Sequence, residues 1–449
     1  MNGQVRLRTA VSGSTGGRSE QRLARALREF AGIPLAFVAA FTVLAVASIV
    51  ADQTHTPGVD RIRSLIGHVI GRDSATTALQ AVATGLVTVT SITFSVLLLA
   101  VQQTATSLSP VVFNQFVRRR GNQAMLGFFV GLTLYAYVVV TAVPGDTAPI
   151  IGAAPATLLT GLALVGLLAL VYTTIDQMRP VNVLGQIRDR TLRARQLELP
   201  LIVRTRRQEL SADPVRATYR STTSGYVTRI DLDRLAGALH QVPRAEVHLH
   251  VTLGGHLAFG DVMATVRNDD RAGAERVADE VGASIVIGAS PDLDSDASTG
   301  IEELANIAWT SGSTAKHNPE TARRAIHALR DVAARWLAEG PPEAQAPPLA
   351  VVYQDADLDQ VLDVFYSLLV VSHESQQHMT AAQVLEAYGR LLGQAGPGVR
   401  DRLRRDLATA GPLLERIPFS PQLGRARQRL RQVMDDLPSG SVAADSGTD

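Results

Sequence analysis

The chain has 449 residues, with 43 basic and 42 acidic side chains, a formal net charge of +1 and 46% hydrophobic residues. That length holds a membrane unit plus one or two further domains, and the near-zero charge argues against a globally basic nucleic-acid binder. The absence of cysteine excludes disulfides, thiolate zinc sites, iron–sulfur clusters and cysteine nucleophiles, and Lys316, the sole lysine, follows no Walker A glycines.

Residues 1–31 form an arginine-rich arm, with Arg6, Arg8, Arg18, Arg22, Arg25 and Arg28 against Glu20 and Glu29. Four stretches free of Asp, Glu, Lys, Arg and His follow within 32–177, at 33–51, 77–101, 124–143 and 150–174. About 20 apolar residues cross the hydrocarbon core as a helix, the one local structure that satisfies its own backbone there. The fold class expected is therefore a four-helix transmembrane domain followed by a cytoplasmic part. The arginines orient it. They are in excess in the arm, in the run Arg118, Arg119 and Arg120, and after the fourth stretch at Arg179, Arg188, Arg190, Arg193 and Arg195. The other two loops are balanced or acidic, with Asp52, Asp60 and Asp73 beside Arg61, Arg63 and Arg72, and Asp146 alone. The alternation predicts an inner-membrane, multi-pass protein with both termini cytoplasmic. The first stretch then acts as a signal anchor and not as a cleaved leader.

The second stretch carries a pattern. At 100° per residue, Thr77, Gln80, Thr84, Thr88, Ser91, Ser95 and Gln102 fall within about 80° of one another, interrupted on that face only by Leu98. Hydroxyl and amide groups along a whole span avoid lipid. They line a polar pathway in an oligomer, with Leu98 as an apolar constriction, or they pack closely and bond back to their own helix or across to a neighbour. No ionisable residue lies within the four stretches, which argues against a proton pump or voltage sensor. Ser109-Pro110 starts a short interfacial helix that ends in Arg118–Arg120, three arginines placed to meet lipid phosphate and fix orientation.

Residues 178–221 read as a helical connector, and 222–340 as an α+β domain. Strand 225–230, helix 231–240 capped by Asp231, strand 245–253, a Gly254-Gly255 turn, strand 256–266, helix 271–281 and strand 283–288 give a βαββαβ order. This is the ferredoxin-like arrangement. Asp292, Asp294, Asp296 and Glu303 have calcium-loop spacing, but Ala297 stands where the turn needs glycine, so a solvated acidic loop before a helix is expected. His248 and His250 share a strand face, with His256 beyond the turn, and no carboxylate stands in register to make a metal site. His373 and His378 are one residue too far apart for a zincin. No catalytic constellation, cofactor motif or metal site is read, and an enzyme is not expected. A linker at 341–348 leads to helices at 359–371, 381–392, 398–414 and 421–434, a C-terminal bundle within 347–436, followed by a disordered tail over 437–449.

From Arg28 to Met434 the chain resembles a bacterial family described as a predicted integral membrane protein with a domain of unknown function, number 2254. The resemblance is carried by Ser95-Val96, Ser109-Pro110, Phe116, the arginine run, Gly121-Asn122-Gln123 and Leu126-Gly127. Further matches are Gly225-Tyr226-Val227, Ile230-Asp231, Gly254, Gly260 and Val266, then Leu304, Ile307-Ala308, Ser313, Pro319 and Thr321-Ala322. The family usually has Asp at Asn306, Asn-Asp at His317-Asn318 and Pro-Gly at Thr314-Ala315. Asparagine at 306 and 318 serves as no general acid or base, although Asn318-Pro319 still starts a helix. The resemblance implies membrane location and fold, and no activity.

The function these features predict is an oligomeric channel-like or transport-like core with a cytoplasmic regulatory or assembly domain. Its partners are the lipid bilayer, copies of itself and an ion or small solute, with no nucleic acid. The alternative is a membrane-anchored sensor or scaffold whose cytoplasmic half binds a protein or small ligand.

Overall fold

The computed structural model describes residues 15–54, 64, 72–107, 120–142, 149–177, 179–313, 319–339 and 347–436, which divide into two compact units at Arg179/Pro180. The first unit is built from α1 (Thr15–Gln53), α2 (Arg72–Ser107), α3 (Arg120–Ala142) and α4 (Ile150–Gln177). All four are long and apolar enough to cross a membrane. Their shared core runs through Phe41, Leu79, Leu86, Phe129, Leu132, Tyr135 and Leu170. Close approach of α1 and α3 depends on two glycines four apart, which occupy one face of α3. A Cβ at Gly127 would lie 2.6 Å from the Pro34 Cα, and one at Gly131 2.6 Å from the Phe41 ring.

Asp52, read from the sequence as a loop charge, belongs to the last turn of α1 and is buried. Its carboxylate accepts the Ile151 and Gly152 N–H groups at 2.9 and 3.0 Å, capping the exposed donors at the start of α4. Tyr135 on α3 donates to the Gly152 carbonyl at 2.9 Å, and its oxygen lies 3.1 Å from the Ser48 hydroxyl. One polar node thus ties three of the four helices together.

The second unit opens with α5 (Pro180–Arg204), and there the chain departs from the helical connector expected to 221. Pro214 lacks an N–H, and the alternating run after it forms β1 (Val215–Arg220). There follow β2 (Gly225–Ile230), α6 (Leu232–Gln241), β3 (Glu246–Leu249), β4 (His256–Leu257), β5 (Val262–Arg267), α7 (Arg271–Ser284) and β6 (Ile285–Gly288). Asp231 caps α6 as its sequence predicts, accepting the Arg234 N–H at 3.1 Å.

From β1 to β6 the order is ββαβββαβ, not the expected βαββαβ, because β1 precedes the expected first strand and the expected strand 256–266 is split in two. The strands do not share one sheet. One sheet has the order β1-β5-β3-β7, where β7 is Val351–Val352, and the other β4-β2-β6. Two features divide them. The predicted strand 256–266 is broken by a turn at Gly260, whose φ is +87°. The edge of β5 that a ferredoxin-like sheet would offer to β2 is taken by β1, which pairs antiparallel from Val215↔Arg267 to Arg220↔Val262. Gly254 makes the expected turn at φ +75°, where a Cβ would also lie 2.5 Å from the Asp296 carboxylate.

The rest is helical: α8 (Ala297–Gly312), α9 (Pro319–Ala338), α10 (Asp357–Glu374), α11 (His378–Gln394), α12 (Pro397–Glu415) and α13 (Pro421–Asp436). The last four match the expected C-terminal helices closely, around a core including Phe365, Leu369, Tyr388 and Leu391. The arm before residue 15, the interfacial helix after Ser109-Pro110, Asn318, most of the 341–348 linker and the tail lie outside the described residues.

Candidate functional site

Helix α2 has two opposed faces. Leu79, Ala83, Leu86 and Thr93 are buried against the neighbouring helices. Leu79, Leu86 and Thr93 recur every seven residues, centred roughly 180° from the polar stripe at 100° per residue. Thr77, Gln80, Thr84, Thr88, Ser91, Ser95, Leu98 and Gln102 are all exposed, Leu98 by 45%. The single chain therefore does not pack this stripe against its other helices. Several hydroxyls bond back to their own helix, Thr84 to the Gln80 carbonyl at 2.9 Å and Ser95 to the Ser91 carbonyl at 2.9 Å. Off the stripe, the Thr90 hydroxyl meets that of Thr133 on α3 at 3.0 Å.

The arginine run is only partly described. Arg120 is the exposed first residue of α3, while Arg118 and Arg119 lie outside the described residues. Asn122 and Gln123, part of the family signature, are buried in the first turn of α3.

In the second unit the motifs weighed in the sequence take structural roles. Asp296 is not solvated but fully buried, and caps α8 by accepting the Thr299 N–H at 2.7 Å. Asp292 accepts the Asp294 N–H at 3.1 Å within the loop. His373 lies in the last turn of α10 and His378 begins α11, separated by a break at Gln376 with φ +55°, so they share no helix. A carboxylate does reach His248, from outside its strand: Glu209 lies 2.7 Å from its Nδ1 and 2.9 Å from Arg267. Asn306 is on the exposed face of α8.

The sequence reading missed the most unusual electrostatic feature. Arg195 on α5 is buried, with Asp355 bidentate at 2.7 and 2.5 Å, Asp357 at 3.0 Å, Glu198 at 3.9 Å and the Trp336 ring 5.3 Å from its guanidinium carbon. Burial opposes its charge, but the carboxylates more than offset this and hold it protonated. Glu198 accepts the Ala297 N–H at 3.1 Å and hydrogen-bonds Asp357. Burial and the neighbouring Asp357 charge push Glu198 up to about 9. Burial raises Asp357 as well, so the Glu198–Asp357 pair retains a shared proton at neutral pH. The cluster pins α5 to the starts of α8 and α10 and to α9. Asp355-Ala356-Asp357 lies 160 residues from Arg195, and no local pattern joins them.

A family model described as a predicted membrane protein, DUF2254, matches residues 28–388. No curated protein and no solved structure matches the chain.

Proposed function

Because the chain belongs to the DUF2254 family of predicted membrane proteins, we propose that it crosses the inner membrane four times and assembles with its own copies around the polar face of α2, forming a channel-like or transport-like core. The observation that carries this reading is the exposure of the whole stripe while the opposite face of the same helix is packed. Acyl chains offer no partner to a side-chain amide such as that of Gln80, which carries two donors and an acceptor. Back-bonding serves hydroxyls such as those of Thr84 and Ser95, and water or a neighbouring copy serves the Gln80 amide. Leu98 then narrows the path on the stripe itself.

Arginine excess at the arm, before α3 and along α5 supports both termini being cytoplasmic. The second unit acts as the regulatory or assembly part. Helix α5 starts three residues after α4 ends, and the buried Arg195 cluster gives it a stiff joint to the rest of that unit. The same joint would serve a membrane-anchored sensor, the second reading. Neither reading assigns the protein a bond-making reaction.

Planar bilayers separate the two. Purified, assembled protein is expected to pass current, and Leu98→Ser to raise its conductance. Silent bilayers from well-assembled protein would remove the pore and leave the sensor.

A further inference from the structure

A cavity of about 410 Å³ opens between the first turns of α5 and the middle of α9. Its apolar lining comes from buried Leu184 and Ala328 and exposed Val181. Its rim is cationic, with Arg188, Arg324, Arg330 and Arg335 and the single carboxylate Asp331. Asp331 is already divided between Arg335 at 3.2 Å and Arg188 at 3.7 Å, and Arg324 is held by Glu320 at 2.7 Å. Arg330 is the least compensated. It is half-buried, and burial first and the neighbouring Arg390 second disfavour its charge, against the partial relief of Asp331 and Glu386.

From this geometry we propose that the cavity binds a phosphate-bearing anion with an apolar portion, its phosphate held by Arg330 and Arg335 and the remainder resting on Leu184 and Ala328. Converging arginines repel one another unless an anion joins them, and their planar forks match phosphate oxygens two at a time. The volume suits a headgroup or a small phosphorylated metabolite, a range in which small-molecule sites commonly fall. No Phe, Tyr or Trp is among the residues that line the cavity, so the broad stacking platform that nucleic-acid bases use is lacking there. A phospholipid headgroup and a soluble phosphate ester share this chemistry. Val181 stands four residues beyond the end of α4 in the chain, and the test distinguishes the two sources. His327 reports on the site, because burial and then Arg330 hold its imidazole below the usual histidine range. An anion bound beside it reverses that push. The proposal is independent of the pore reading.

The test uses the full chain in neutral detergent, titrated calorimetrically with dihexanoyl phosphatidic acid, dihexanoyl phosphatidylcholine and inorganic pyrophosphate. Saturable binding of the phosphatidic acid, weakened at least tenfold by Arg330→Gln, is expected. Binding without a pyrophosphate response identifies a lipid source, and binding of both identifies the phosphate itself as sufficient. Arg335→Gln, at a largely exposed position that folding tolerates, is expected to weaken binding as well. The His327 ring, followed by proton NMR, should titrate at higher pH when the anion is present. The proposal is overturned if none of the phosphates binds, if phosphatidylcholine binds equally well, or if both arginine variants bind like the parent.

Discussion

Glu198 and Asp357 are carboxylates that meet beside one arginine, and the proton they share belongs to the folded structure. The Glu198 pKa rises from an ordinary 4.5 to about 9 on folding. The folded state thus binds that proton more tightly than the unfolded chain. The stabilisation is complete below about pH 4.5 and is lost as pH climbs through about 9, at a slope of at most about 1.4 kcal/mol per pH unit. Glu198→Gln keeps the acceptor for Ala297 and a donor toward Asp357 without the titration. Thermal midpoints of detergent-solubilised protein between pH 5 and 9 should fall with rising pH for the parent and flatten for the variant. Arg195→Met, which strands the carboxylates, should cost roughly 3–5 kcal/mol at neutral pH by the same measurement. An unchanged pH profile in Glu198→Gln would show that the shared proton is not there.

The helices of the first unit meet through small residues, since lipid tails provide no hydrophobic drive between them. Gly127 faces the Pro34 backbone, which cannot swing aside as a side chain can. Gly127→Val should therefore lower the stability of the solubilised protein by about 1–3 kcal/mol. Gly161→Val, where a Cβ meets nothing within 4 Å, should be near neutral; equal losses in both would refute this packing of α1 on α3. Elements of this kind were legible in the sequence. Charge-free length marks α1 to α4, and the 3.6 period marks α10 to α13 within a few residues, because both signals are local. The strands were less so. Pairing of β1 with β5 and of β7 with β3 joins distant segments, and the arginine-rich run through Tyr219 reads as helix although α5 ends at Arg204 and β1 begins just after Pro214. Gly260 carried a visible turn signal inside the predicted strand 256–266. The Arg195 cluster had none, since its members are brought together by the packing of four helices.

At the scale of the whole molecule, the sequence placed the polar stripe on one face of α2, and the single chain leaves that face open. Whether the hydroxyl groups meet copies of the chain decides between an assembled core and an isolated bundle. The natural absence of cysteine makes each introduced thiol unique. Single-cysteine chains carrying Thr84→Cys, Ser91→Cys or Ser95→Cys, oxidised in native membranes, should form disulfide-linked dimers. Leu158→Cys and Leu168→Cys, on outward-facing α4 positions exposed by 76% and 73%, should remain monomeric. Monomers at all three α2 positions, or dimers formed through α4 instead, would contradict the account.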